Sequence, residues 1–213
     1  MASSRSSILA PVVALIAGVA LGVIAPLLET TDSSVGHVAH LVLSAGWSWA
    51  ALAFCVGLAG KSRVKSAVLA PISLVVAVVA YYVTKLERGE FMEPVDLADP
   101  SRGTHVYWAG FASKTIFWCV AAVFLGIILG LAGHLARNHG YRGLAFQVLI
   151  PLTAVVEMSM RLRSEAQLQG KLTGATWTVT LVLAVAAIVA LVARAIVMSG
   201  GRRPRVTDGA TGR

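Results

Sequence analysis

From residue 8 to residue 28 the chain runs for 21 residues without a polar side chain. At about 1.5 Å per residue such a run crosses the ~30 Å hydrocarbon core of a bilayer as a helix. Comparable runs follow at about 37–60, 67–84, 107–135, 144–160 and 176–197. In lipid each must satisfy its backbone hydrogen bonds internally, so each is expected to be a helix. The fold class is therefore all-α, a polytopic membrane bundle of six helices. Composition agrees: 57% of the residues are hydrophobic and 13% charged, with mean hydropathy +0.77. A water-soluble domain of this length has too little interior to hide that surface.

The net charge of +8 invites a nucleic-acid reading. The basic residues, however, lie in short turns between apolar runs, the distribution of the positive-inside rule. Arg5, Lys61, Arg63, Lys65, Arg137, Arg142, Arg194, Arg202, Arg203, Arg205 and Arg213 fall on the face shared by both termini. Eight of the ten acids, Glu29, Asp32, Glu87, Glu90, Glu93, Asp96, Asp99 and Glu165, fall on the other. Both termini are thus expected in the cytoplasm of a multi-pass protein of the cell membrane. Residues 1–7 read as a cytoplasmic start, 8–197 as the transmembrane domain and 198–213 as a disordered basic tail. Nucleic acid is not an expected partner; membrane lipid is.

The stretch 144–169 holds Glu157, the one carboxylate inside a long apolar run. A charge there must be paired, neutralised or wet, which makes it a candidate site. It lies 13 residues after Leu144, hence ~20 Å from the cytoplasmic end. Lys114 and Trp118 come early in a helix that starts outside, and Tyr81 and Tyr82 come late in one that ends outside. His37, His40, Trp47 and Ser48 also start from the outer side, so polar and aromatic groups of four helices meet at one depth. Lys114 is the expected partner across helices, since either charge buried alone costs ~3 kcal/mol. Arg161, four residues after Glu157, is a partner along the helix. The candidate site is Glu157 as acid, with Trp47, Tyr81, Tyr82, Trp108, Lys114, Trp118 and Arg161 as substrate-binding residues. A purely structural ion pair at Glu157 is the alternative, and membrane-belt aromatics explain Trp108 equally well.

Other features carry less. Cys55 and Cys119 lie in separate apolar runs, read as small core residues, with neither zinc nor disulfide spacing. His37 and His40 are read as interfacial and solvated, and no metal or cofactor is implied. Asp96–Asp99, DLAD, resembles a diphosphate–metal motif but lacks the paired aspartates. Residues 86–105 are expected as a loop. Pro71 should kink its span or free a carbonyl, and Gly18 and Gly22 have the spacing of close helix packing.

Residues 47–60, the basic turn after them and the AYY of 80–82 resemble a bacterial family of six-span membrane proteins of this length. The likeness covers most of 18–197, implies a helical bundle and carries no activity. In size, helix count and lack of a soluble domain, the chain is also similar to small membrane-bound terpene cyclases of drimentine type. That resemblance implies cyclisation of a prenylated lipophilic substrate, begun by an acidic side chain placed by role at Glu157. The residues suit that chemistry: a protonated carboxyl can start it, and ring faces stabilise cations. Diphosphate ionisation is not expected. Two other readings stay open: a solute-binding or transport protein, which at this length needs a partner or a second copy, and a non-catalytic scaffold.

Overall fold

In the computed structural model, which describes residues 2–96, 99, 102–138, 141–165 and 168–200, the chain is mostly helical. Helix α1 (Ala2–Leu27) ends in a 3-10 turn at Leu28–Thr30. Helices α2 (Ser34–Leu43), α3 (Gly46–Ala59) and α4 (Arg63–Glu87) follow. After a short hairpin come α5 (Trp108–Leu135), α6 (Tyr141–Gln147), α7 (Leu149–Ser164) and α8 (Lys171–Gly200). Five stretches are long and apolar enough to cross a membrane: 11–30, 63–87, 108–135, 141–164 and 171–198. A sixth exists if α2 and α3 form one span, bent by 61°. The chain is mostly helical, with five or six stretches whose length and composition suit a membrane.

Close packing of small residues sets the centre. Gly18 and Gly22 of α1 lie against the backbone of α4 at Ser73 and Ala77, so a side chain there would strike main chain. Gly126 of α5 lies on Pro71, and Gly130 on Ser66 and Ala70. Gly57 and Gly133 bring α3 and α5 together in the same way. Pro71 sits inside α4 without ending it, and its ring forms part of the surface that receives Gly126. Without a hydrophobic drive between helices in lipid, such approach supplies the dispersion that holds α1, α3, α4 and α5. Ala53, Val56, Leu74, Val78, Ala122 and Leu129 fill the core they enclose.

Three expectations are corrected. The run 37–60 is broken at Ser44–Ala45 rather than continuous. Residues 92–94 and 104–106 pair as an antiparallel hairpin with Met92 opposite Val106. Gly89 and Gly103, at φ 79° and 94°, supply backbone conformations that an L side chain resists. Cys55, expected in the core, is exposed, and Cys119 is half-buried. Helix also extends past the expected boundaries, taking in residues 2–7 and 198–200; the tail beyond lies outside the described residues.

Candidate functional site

The break between α2 and α3 has a chemical cost. A helix end leaves carbonyls on one side of the break and amides on the other without partners in their own helix. Ser48 Oγ donates to the Val42 carbonyl, and Trp49 Nε1 donates to Leu43 O at 3.1 Å. Those bonds serve the end of α2. Ala45, at the N-cap of α3, offers no side-chain acceptor. Glu157 of α7 supplies it from across the bundle. Its Oε1 accepts from Gly46 N at 3.0 Å and its Oε2 from Trp47 N at 2.9 Å. The carboxylate thus meets the positive end of the α3 dipole.

Arg161, one turn on, completes the arrangement. Its Nε and Nη2 donate to Glu157 Oε1 at 3.2 and 3.1 Å. Its guanidinium lies 5.8 Å from the ring centroid of Trp177 on α8. Trp177 is buried with Ala45 and Met158, and Trp47 packs against that cluster. Four donors therefore converge on one carboxylate, which in ionised form only accepts. Glu157 is a cap supplied by another helix, locked by a salt bridge.

Beside this junction lies a cavity of about 470 Å³ between α3, α4, α5 and α7. Trp49, Tyr81, Tyr82 and Trp118 give it aromatic walls; Leu74, Val78 and Ala122 are among its aliphatic ones. Glu157 and Arg161 form its polar edge. The rings are held in a series. Trp49 meets Tyr81 edge-on at 5.7 Å, Tyr81 meets Tyr82 at 5.4 Å, and Phe91 follows at 6.2 Å. Lys85 steadies that end: its Nζ is 2.6 Å from Glu90, 3.6 Å from Glu29, and 5.3 Å from the Tyr81 ring centroid.

The structure brings together Glu157, Arg161, Tyr81, Tyr82 and Trp118. Lys114 is placed elsewhere: its Nζ lies 5.6 Å from the Phe91 ring centroid, and the ion pair of Glu157 is with Arg161. The expected Lys114–Glu157 pair is corrected accordingly, because Lys114, in the second turn of α5, lies over Phe91 while the carboxylate is taken by Arg161 of its own helix. Trp108 is 62% exposed and stacks edge-on against Phe111, away from the cavity. Trp47 does not line the aromatic cavity but a neighbouring cleft. The ring that sequence reading left out of the site is Trp49. Its signal was spacing, since Gly46, Trp49 and Ala50 share one face of α3.

The histidines are also internal ties: His40 Nδ1 donates to Ala25 O at 2.8 Å, and His37 Nε2 shares a 3.0 Å hydrogen bond with Thr173 Oγ1. In the long loop, Arg102 bridges Asp96 and Asp99 at 3.2 and 3.6 Å. Among the described residues no group of three or more His, Cys, Asp or Glu converges as a metal site.

Compared with models of protein families, with curated proteins and with solved structures, the chain matches none.

Proposed function

We propose that this protein binds a lipophilic, prenyl-type amphiphile in the aromatic cavity, with the polar end of the ligand at Arg161. The observation that carries this reading is the composition of the cavity wall: four aromatic rings, aliphatic side chains and a single charged edge. Its volume falls within the range of small-molecule sites, about 300–1,000 Å³. In this reading the protein is a multi-pass protein of the cell membrane, α2 and α3 are one broken span, and six spans leave both termini in the cytoplasm. The clustering of basic residues in the turns on one face supports that orientation.

The test is saturable binding of farnesol to the protein in lipid nanodiscs. Ala122 is buried in the cavity wall, and Ala122→Trp places an indole in open volume. Its expected effect is at least tenfold weaker binding with the helical signal unchanged. Equal binding by both proteins removes the cavity as the site.

Cyclisation of such a ligand is the second reading, favoured by the ring faces, which suit a carbocation. In that chemistry Glu157 is the proton donor, and the amides of Gly46 and Trp47 must release it before it carries a proton. Mass spectrometry of lipophilic extracts from expressing cells supplied with prenylated precursors tests it. A new species isomeric with its precursor, lost in Glu157→Gln, supports cyclisation. Unchanged extracts leave binding without chemistry.

A further inference from the structure

Helices α5 and α7 both pack on α3 and barely on each other. The gap between them is a cleft of about 670 Å³. Leu125 and Leu129 of α5 form one wall, Leu152, Val156 and Met160 of α7 the other. Its floor includes Gly46, Trp47 and Ala50 of α3. The cleft and the aromatic cavity share Gly46, Ala50, Leu125, Leu129, Glu157 and Arg161, so they adjoin along these residues.

The outward residues along the middle of the cleft are apolar, and Ser164 and Glu165 border its end. Val156 is 52% and Met160 65% exposed, while Leu129, deeper in, is 9% exposed. These helices are long and apolar enough to span a membrane, so these outward residues face hydrocarbon. Glu157 and Arg161 line both the cleft and the cavity. Arg161 commits Nε and Nη2 to Glu157, and its Nη1 has no protein partner among the described residues. A hydrocarbon tail is matched by the walls, and a hydrogen-bond-accepting head by the free guanidinium nitrogen.

We infer that the α5–α7 cleft is a lateral portal: the hydrocarbon chain of a bilayer-dissolved amphiphile enters sideways between Leu125 and Val156 and passes over Leu129 into the cavity. The inference rests on the lipophile-binding reading but names the source of the ligand, the bilayer, and its route. The exposed residues that face each other across the opening, Leu125 on α5 and Leu152, Val156 and Met160 on α7, are apolar and match a hydrocarbon chain; the polar residues Thr153, Ser164 and Glu165 border the cleft from the α7 side alone.

A diazirine leucine analogue in place of Leu129, in phosphatidylcholine vesicles, reads access directly. The same analogue in place of Phe124, outward on α5 and 66% exposed, reports ordinary lipid contact. On irradiation the expected result is a lipid adduct at 129 within a few-fold of that at 124. Val156→Trp, or Leu152→Trp if the first does not fold, closes the gap and should reduce the adduct at 129 at least fivefold while sparing 124. Lipid adducts at 124 with only intramolecular adducts at 129 overturn the portal, as does an adduct at 129 that neither tryptophan lowers. Failure here with farnesol binding intact means the cavity fills by another route. Adducts at 129 without farnesol binding mean that the portal stands and the ligand class is wrong.

Discussion

Glu157→Ala is expected to destabilise the protein by about 3 kcal/mol or more, enough to remove most folded material from a protein of ordinary stability. Three losses combine. The amides of Gly46 and Trp47 lose their acceptor. Arg161 keeps its charge and loses its partner. Helix α3, whose own N-cap residue has no acceptor side chain, is left uncapped. Glu157→Gln keeps an oxygen for one amide and should cost less, on the order of 1–2 kcal/mol. Thermal unfolding in detergent, followed by circular dichroism, gives the order wild type, Gln, Ala. Equal stability of wild type and Glu157→Ala contradicts the cap.

The second large effect concerns the glycines of α5. Gly130→Val puts a branched side chain against the Ser66 carbonyl and the Ala70 methyl, and Gly57 already rests on the Gly130 backbone. Main chain on both sides cannot rotate away, so overpacking should cost ~3 kcal/mol or more, at or above the top of its usual range. The expected result is loss of monodisperse protein after solubilisation. Gly174→Ala on α8 is the control, because nothing lies within 4 Å of its added methyl. It should be neutral or stabilising by up to ~1 kcal/mol through helix propensity. If Gly130→Val purifies and melts like wild type, the α3–α4–α5 junction is not packed through its glycines.

What was legible in the sequence follows from the range of each interaction. The long apolar runs needed only length and composition, so α1, α4, α5 and α8 were readable. The Glu157–Arg161 pair was readable because four residues along one helix fix its geometry. The partner of Glu157 across the bundle was not. Lys114 has the right charge at a similar depth, but rotation of α5 about its axis turns it toward Phe91, and depth says nothing about rotation. Ser48 and Trp47 read as part of one polar cluster at the depth of Glu157; Ser48 instead repairs the end of α2, and Trp49 both bonds that helix end and walls the cavity. The break cuts the periodicity across residues 37–60, so spacing from α2 does not reveal that Trp49 rather than Trp47 faces the cavity. The hairpin escaped notice because strands of three residues at 92–94 and 104–106 are too short to show alternation.

The central assignment is the aromatic cavity as the seat of a lipophilic ligand. The most direct measurement is photoaffinity labelling in nanodiscs with a diazirine-bearing farnesol, followed by peptide mass spectrometry to find the labelled residues. Labels on Leu74, Tyr81, Tyr82 or Trp49, suppressed by excess farnesol, are the expected result. Labels confined to outward residues such as Phe124 and Leu183, and unaffected by competitor, would contradict it.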